Sequence, residues 1–364
     1  MNLSLHQYKP LCYFVSFLLA FLLSYIFIWL LIRILPKLGI LDKPDERKIH
    51  KKPIPRMGGP GICAAFIIPM IVLMYFDNLQ KAVIIGAFVS LIVGILDDIL
   101  GIRATLKLLI FFILTFILRT YGLTTNLPFD KIGLNKEIAN ILVTLFWIVG
   151  VTSAMNALDH MDGLASGVSL IASLSYFAVA IQTSNFFWGL VSICLAGALL
   201  GFLYFNWHPA KIFMGDSGSF FLGFTLASLG VMGGWSENPL KSMIIPFLIL
   251  SLPIFDLIYV IFSRYLNGTT KTITEAIVYC GKDHIGHRLM KLGLKQRAVA
   301  TIIYIFSAAI SISALTIKDA SLFDVFLLLL QIFLMYFVLV LLMRGFEIKR
   351  RNAKLLKKSK NGYL

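Results

Sequence analysis

Long apolar runs, each separated from the next by a short polar segment, dominate this sequence. Residues 11–32 hold 22 positions without a charge, and about 20 apolar residues allow a helix to span a bilayer. Because the runs are continuous rather than alternating, they indicate helices and not the strands of a membrane barrel. The pattern predicts eleven spanning segments, of which the eighth is short and glycine-rich. They lie at about 11–35, 59–76, 81–96, 104–120, 138–157, 163–182, 186–205, 218–232, 242–263, 298–317 and 322–343.

The predicted fold class is all-α: a polytopic integral membrane protein with ten or eleven transmembrane helices. Its 364 residues are 59% hydrophobic and only 14% charged, a balance that excludes an ordinary soluble domain. We expect a single transmembrane domain over 1–364 that ends in a basic cytoplasmic tail at 344–364. The first run is longer than a signal-peptide core and lacks a cleavage site, so we expect it to be retained. The four cysteines have no metal-ligand or disulfide spacing.

The distribution of lysine and arginine predicts the orientation in the membrane. If the N-terminus lies outside and the C-terminus in the cytoplasm, the cytoplasmic segments carry 26 of the 33 lysines and arginines. Cytoplasmic loops of membrane proteins normally hold this excess. The sequence therefore predicts a multi-pass protein of the cytoplasmic (inner) membrane with this orientation. The net charge of +15 then reflects topology, so we expect no nucleic-acid partner.

Clusters of polar residues interrupt the apolar pattern at the predicted cytoplasmic ends of helices. Carboxylates are costly next to lipid, so they usually have a function there. Asp97 and Asp98 follow an apolar run directly, and adjacent carboxylates favour a cation such as Mg²⁺, which carboxylates and substrate phosphates hold together. A solvated helix end is the alternative. Lys107, one turn into the next segment, either extends toward the interface or reaches this pair.

A second cluster holds Asn156, Asp159 and Asp162 at intervals of three residues, which on a helix places all three on one face. A cap-and-turn cluster is the alternative. Further along, Asp216 lies among glycines and serines whose backbone N–H groups suit a phosphate or a metal. Phe213 beside it offers a ring for stacking on a base. A plain helix N-cap is the alternative for this loop.

The last cluster, His284, His287 and Arg288, suits an anion better than zinc, because no third metal ligand is near and arginine and histidine donate to phosphates. An ordinary basic loop is the alternative. Asp256, inside the ninth segment, suits either structural pairing or support of a site. Together, carboxylates for a cation, a basic cluster and a membrane indicate phosphoryl transfer to a lipid at the cytoplasmic interface.

Five motifs, in order along roughly 30–345, resemble those of the polyprenyl-phosphate N-acetylhexosamine-1-phosphate transferase family, of the glycosyltransferase family 4 type. They read DKPDERKIHKKPIPRMGG (42–59), GILDDILGIRATLKLL (94–109), NALDHMDGLASGVS (156–169), FMGDSGS (213–219) and DHIGHRLMKLGLKQRA (283–298). The last is similar to the histidine loop of the branch that uses UDP-N-acetylglucosamine.

The resemblance implies transfer of N-acetylglucosamine-1-phosphate from a UDP-sugar to undecaprenyl phosphate, with release of UMP. This is the first membrane step of cell-envelope glycan biosynthesis. Mg²⁺ is the expected cofactor, with Mn²⁺ as a substitute, and a homodimer is an expectation for the assembly. A phosphotransferase that uses UDP-N-acetylmuramoyl-pentapeptide is the alternative within the family. A prenyl transferase, a transporter, a non-enzymatic scaffold and an inactive paralogue are the alternatives outside this activity.

The resemblance also implies roles for individual residues. Asp216 and Asp98 would hold the metal, and Asp97 would receive or orient the lipid phosphate, with Lys107 nearby. The residues expected to face the uridine and the sugar are Lys51, Asn156, Asp159, Asp162 and Phe213. Those expected to hold the diphosphate are His284, His287 and Arg288.

Three positions depart from the family pattern. The third motif usually reads N-x-x-N-x-x-D-G-x-D-G-L, whereas this chain has Ser153 in place of the first asparagine and His160 in place of the first glycine. The histidine loop usually reads H-I-H-H-R, whereas Gly286 replaces its middle histidine. Because the carboxylates are retained, these changes bear on sugar specificity rather than on catalysis.

Overall fold

The computed structural model describes residues 2–44, 52–73, 77–279 and 281–361, and describes side chains from Tyr8 to Arg344 within those ranges. Its helices are α1 (Asn2–Ile34), α2 (Gly59–Leu73), α3 (Asn78–Leu100), α4 (Ala104–Leu118), α5 (Lys136–Leu158), α6 (Leu164–Gln182), α7 (Phe186–Asn206), α8 (Gly215–Met232), α9 (Pro239–Ile249), α10 (Ser251–Leu266), α11 (Ile273–Val278), α12 (Ile285–Lys291), α13 (Gln296–Thr316) and α14 (Leu322–Asn361). Two short 3₁₀ turns, Arg119–Tyr121 and Phe129–Ile132, lie between α4 and α5. Strands β1 (Leu41–Asp42) and β2 (Ile54–Pro55) form a small antiparallel pair.

The all-α prediction is confirmed, but the count of eleven spans is not. Within the described residues, eight helices are long and apolar enough to cross a membrane, and the bent pair α9–α10 makes a ninth. The two remaining predicted segments, 59–76 and 218–232, each coincide with a helix that is not long and apolar enough by the same measure. One is α2, which has 15 residues, and the other is α8, whose first turns carry Asp216 and four serine or glycine residues.

Helix α8 is the centre of the bundle, although it is not among the described helices that are long and apolar enough to cross a membrane. It packs against α2, α3, α5, α6 and α9, and its residues from Ser217 to Gly230 are all buried. A helix enclosed by other helices has no lipid-facing stripe, so serine, threonine and glycine along it allow close packing at no cost in lipid exposure. A hydropathy pattern alone therefore underestimates how deeply this helix is buried.

The bend of 73° between α9 and α10 follows from a proline near the start of the second helix. Pro253 is the third residue of α10, where its missing N–H group is tolerated because the first turn of a helix leaves its N–H groups unpaired. Three residues later, Asp256 is buried on α10 with 1% of its surface exposed. The bend therefore places this carboxylate near the loop that precedes α12, where it contacts His284.

Two glycines let α2 and α3 approach the first turn of α8. A Cβ atom at Gly94 of α3 would lie 2.3 Å from the carbonyl oxygen of Asp216 and 2.4 Å from the Cα of Ser217. A Cβ atom at Gly59 of α2 would lie 2.3 Å from the backbone nitrogen of Gly218. Real Cβ atoms do not approach backbone this closely, so the position of α8 depends on glycine at both sites.

We expect Gly94→Ala to lower the thermal stability of the detergent-purified protein, since a rigid overpacked contact of this kind costs roughly 1–3 kcal/mol. Gly150→Ala on α5 is the matched control, because nothing lies within 4 Å of a Cβ atom there. The control should leave the melting temperature unchanged or slightly raised, since alanine favours a helix over glycine. Equal melting temperatures for the two variants would contradict the close approach of α3 and α8.

Candidate active site

A cavity of about 830 Å³ lies where the start of α8, the α5–α6 connection and α12 meet the segment around β2. Its volume is in the range of known small-ligand sites. Its wall is rich in charged and aromatic groups, namely Asp42, Lys52, Arg56, Asp159, His160, Asp162, His208, Lys211, Phe213, Asp216 and His287. The predicted convergence of distant polar clusters on one end of the bundle is therefore confirmed.

The carboxylate of Asp98 fixes the first turn of α8 to the end of α3. Its Oδ1 accepts the backbone N–H of Asp216 at 2.9 Å, and its Oδ2 accepts that of Ser217 at 3.0 Å. The first N–H groups of a helix lack partners within the helix, and a negative charge is favourable there. Only 1% of the Asp98 side chain is exposed, so this carboxylate holds the site together from behind the cavity wall.

Arg56, which follows β2, bridges two of the carboxylates and was missed by the sequence reasoning. Its Nη2 lies 2.9 Å from Oδ1 of Asp98 and 2.8 Å from Oδ2 of Asp216. The signal was present, because Arg56 lies within the motif at 42–59, and a group of carboxylates near lipid needs a cation. About 35% of the Arg56 side chain is exposed, toward the cavity that it lines.

Asn156 contacts the other oxygen of Asp216. Its Nδ2 donates to Oδ1 of Asp216 at 2.7 Å and lies 2.8 Å from Oγ of Ser219. Both oxygens of Asp216 are thus oriented, and 25% of its side chain stays exposed. Among the described residues, Asn156 is not in the cavity wall, so the structure places it as a partner of Asp216.

The expectation that Asn156, Asp159 and Asp162 share one helix face is wrong, because α5 ends at Leu158. The chain then turns: the backbone N–H of Asp159 donates to the carbonyl of Asn156. Gly163, at φ +74°, leads into α6, a conformation that favours glycine. Because the helix is broken here, Asp159 and Asp162 contact different groups.

Both aspartates line the cavity, and Asp162 also anchors the loop between α7 and α8. Burial, reinforced by the negative charge of Asp216, raises the pKa of Asp159 to about 8. Asp162 lies 2.7 Å from Nδ1 of His208 and accepts the backbone N–H of Ala210 at 3.1 Å. A buried carboxylate with so high a pKa next to another carboxylate is a candidate functional group.

These oxygen donors fit a hard divalent cation. Asp216 and Asp159 both reach the cavity wall, and Mg²⁺ is bound by one or two carboxylates together with substrate phosphates. Asp98 is a weaker candidate for direct ligation, since its oxygens already accept two backbone N–H groups and contact Arg56. Its metal-ligand role stays a prediction.

Asp97 forms a separate ion pair beside the cavity. Lys107 Nζ lies 2.5 Å from Oδ2 of Asp97, and the backbone N–H of Ile102 donates to Oδ1 at 2.8 Å. Of the two alternatives for Lys107, the structure shows the approach to the aspartate pair. Asp97 is 6% exposed and, among the described residues, does not line the cavity.

The histidine loop is held by carboxylates that the sequence reasoning did not connect with it. Oδ2 of Asp256 lies 2.8 Å from Nδ1 of His284, and its Oδ1 accepts the backbone N–H of Ile285 at 2.7 Å. Arg264 forms a bidentate pair with Asp283, with Nε–Oδ2 and Nη2–Oδ1 distances of 2.7 and 2.8 Å. Charge-assisted pairs of this geometry are strong and directional, so they fix the loop against α10.

Of the three residues predicted to hold the diphosphate, His287 alone is among the described residues that line the cavity. His284 and Arg288 are buried, at 9% and 6% exposure. Arg288 donates to the carbonyl of Asp283 and to Oγ of Ser263. Burial and the neighbouring His284 lower the pKa of His287 to about 4. The cations that do line the cavity include Lys52, Arg56 and Lys211.

His160, Asp256 and His284 place potential ligand atoms within 4.8 Å of one another, yet their geometry is not that of a metal centre. Both oxygens of Asp256 already accept hydrogen bonds. The rings of His160 and His284 are stacked, with centroids 5.1 Å apart and an interplanar angle of 30°. Asp256 is therefore already engaged in holding the histidine loop.

Two further residues that were predicted to face the uridine and the sugar, Phe213 and Lys51, belong near β2 or directly before the described part of the wall. Phe213 lines the cavity, and its backbone N–H donates to the carbonyl of Pro55 at 2.8 Å. Lys51 lies outside the described residues, but the next residue, Lys52, is part of the wall. The segment 52–56 therefore forms one side of the cavity.

Comparison with known proteins agrees with this architecture. A family model described as glycosyl transferase family 4 matches residues 81–234. A protein of Bacillus subtilis (strain 168), named probable undecaprenyl-phosphate N-acetylglucosaminyl 1-phosphate transferase, is 35% identical over 324 residues, which is 87% of this chain and 89% of that protein. A decaprenyl-phosphate N-acetylglucosaminephosphotransferase of Mycobacterium tuberculosis (strain ATCC 25618 / H37Rv) is 30% identical over 311 residues, or 76% of each chain.

A phospho-N-acetylmuramoyl-pentapeptide-transferase of Clostridium botulinum (strain Eklund 17B / Type B) is 34% identical, but over only 212 residues, which is 54% of this chain and 65% of that protein. The match to the N-acetylglucosamine-1-phosphate transferases thus extends over more of the chain. With most of its length aligned to such relatives and the motif residues gathered around one cavity, the chain belongs to glycosyl transferase family 4, as a membrane glycosyl-1-phosphate transferase.

Proposed function

We propose that this protein transfers N-acetylglucosamine-1-phosphate from UDP-N-acetylglucosamine to undecaprenyl phosphate and releases UMP. An oxygen of the lipid phosphate attacks the sugar-bearing β-phosphorus of the donor. A new P–O bond forms there while the bond from that phosphorus to the bridging oxygen breaks, and UMP leaves. The observation that carries the proposal is the cavity that gathers Asp159, Asp216 and Arg56, in a chain whose relatives are named for this reaction.

Mg²⁺ is the proposed cofactor, with Asp216 as its first ligand and Asp159 or Asp98 beside it. When bound, it would offset the charge that develops on the transferring phosphoryl group. Asn156 and Arg56 keep the two oxygens of Asp216 in place, so little reorganisation is needed when the substrates arrive. Such preorganised electrostatics accounts for much of enzymatic phosphoryl transfer.

The donor would lie along the wall between Phe213 and His287, with its charged groups near Arg56, Lys52 and Lys211. In this arrangement Phe213 stacks on the uracil, and the sugar extends toward the histidine loop. The acceptor phosphate needs little help from a base, because a phosphate monoester with a second pKa near ~6 is largely dianionic at pH 7. Asp97 with Lys107 would orient that phosphate. Trapping a covalent sugar-phosphate on the enzyme would instead favour a two-step route through Asp97.

The orientation that we propose places the cavity in the cytoplasm, with the N-terminus outside and the C-terminus inside. It rests on the lysine and arginine excess at the same end of the helices as the cavity, for example Lys52, Arg56 and Lys211 in its wall. A soluble nucleotide-sugar donor is made in the cytoplasm, which agrees with this side. The homodimer stays a prediction.

The purified protein should release UMP only when UDP-N-acetylglucosamine, undecaprenyl phosphate and Mg²⁺ are all present. Asp216→Asn should lower the rate by about 100-fold or more, the scale expected for loss of one preorganised charge. Asp324→Asn is the matched control, because Asp324 lies at the other end of the bundle and caps α14 through Ser321. Release with UDP-N-acetylmuramoyl-pentapeptide alone would reassign the donor. No release with any UDP-sugar, from a folded protein, would contradict the transferase.

Lys107→Met should lower both thermal stability and UMP release, because it leaves the buried carboxylate of Asp97 without its cation. The double variant Asp97→Asn/Lys107→Met removes both charges and should recover the melting temperature. If Asp97 acts on the lipid phosphate, UMP release stays at least about 100-fold low in the double variant. Recovery of activity together with stability would show that the pair is only structural. Lys136→Met, at the exposed start of α5, is the control.

Single cysteines in a cysteine-free background would test the orientation. Ser321→Cys lies between α13 and α14, and Lys295→Cys lies just before α13; both positions are exposed. A membrane-impermeant maleimide should label Ser321→Cys in intact cells but Lys295→Cys only after permeabilisation. The reverse pattern would overturn the proposed orientation.

A further inference from the structure

Position 286 of the histidine loop has no room for a side chain. A Cβ atom at Gly286 would lie 2.7 Å from Nε2 of His160 and 2.4 Å from Sδ of Met161. The methionine thioether is the flexible end of an unbranched chain and can move aside. The imidazole cannot do so as easily, because it is packed between other rings.

His160 is held on three sides. Its Nδ1 lies 3.0 Å from the carbonyl of Ala157, so Nδ1 carries the proton and Nε2 is left as an acceptor. That Nε2 atom is buried and has no hydrogen-bond partner among the described residues. The ring centroid lies 5.1 Å from that of His284 and 4.7 Å from that of His287. His160 is therefore inserted between the two histidines of the loop.

The two positions are complementary in packing. Glycine at position 286 leaves the space that the imidazole of His160 fills, because a Cβ atom at 286 would meet that ring. Moving the imidazole from position 160 to position 286 would keep the packed volume. Volume-conserving exchanges are the kind that a packed core tolerates best.

We propose that His160 and Gly286 form a reciprocal pair, in which an imidazole from the α5–α6 connection fills the place that a side chain at position 286 of α12 would take. His160 lines the cavity beside His287, and we assign it a positioning role, in which its ring contact sets the place of His287. This inference rests on the proposed function where it assigns a role toward the donor. The part of the inference that concerns the packing of His160 against Gly286 does not depend on any activity.

The geometry predicts which kinetic constant responds. Nδ1 of His160 is engaged with the carbonyl of Ala157, and its Nε2 atom is buried, so the ring offers little direct hydrogen bonding to a diphosphate. It affects the donor through the geometry of His287, so its loss should change the KM for the UDP-sugar more than the KM for the lipid.

A mutant cycle tests the packing. Gly286→Ala should lower the melting temperature in the native background, where the new Cβ meets the His160 ring. In the His160→Gly background the same change should have no destabilising effect, because the ring is gone. An equal loss of stability in both backgrounds would overturn the pair. Gly150→Ala, at an open position, is the control for adding a methyl group.

The donor half is tested with His160→Gly, Gly286→His and the double variant His160→Gly/Gly286→His. Each single variant should raise the KM for UDP-N-acetylglucosamine, with kcat and the lipid KM much less affected. The double variant should recover, with at least about fivefold departure from multiplicative effects, as expected for contacting residues. A double variant as poor as the product of the singles would overturn the proposal. If the native protein releases no UMP, the transferase fails while the thermal cycle still decides the pair.

Discussion

The structure of this site depends on one interaction: the carboxylate of Asp98 accepts the first backbone N–H groups of α8, from Asp216 and Ser217. Gly94, one turn earlier on α3, lets the two helices come close enough for this to happen. The position of Asp216 is therefore fixed by the hydrogen bond from its backbone N–H group to Asp98, independently of the contacts of its side chain. Arg56 and Asn156 then orient the two carboxylate oxygens. Because α8 is buried on all sides, a shift of its first turn would move the whole cavity wall.

Charge at the site is balanced unevenly, and the imbalance lies where substrate would bind. Asp97 is paired with Lys107, and Arg56 is shared between two other carboxylates. Burial is the main cause of the raised pKa of Asp159, about 8, and the negative charge of Asp216 adds to it. We propose that a cation completes this carboxylate cluster. The same cluster would repel a donor diphosphate unless that cation accompanied it, so metal and donor are expected to bind together.

The sequence predicted those features that depend on composition and local spacing. Apolar runs predicted the helices, and the polar clusters at their ends predicted one shared site. For Lys107 the sequence left two places open, the interface and the aspartate pair, and the structure shows the pair. The sequence did not predict features that depend on which helices touch. Arg56 acquires its partners only when the segment after β2 packs against α8, and a hydropathy pattern cannot show that the short, glycine-rich segment is the central one. The supposed stripe through Asp159 failed because α5 ends one residue before it.

The histidine loop illustrates how a motif residue can be essential for a site without touching its ligand. Arg288 and His284 were expected to hold phosphate, yet they face Asp283, Ser263 and Asp256. Their hydrogen-bond donors are used to build a support behind the cavity wall. Of the three predicted residues, His287 alone is among the described residues that line the cavity. Under the proposed function, Lys52 and Arg56 of the segment 52–56, together with a bound cation, would offset the charge of the donor. The donor would then contact the histidine loop mainly through packing, and the segment that ends at Arg56 would offset its charge.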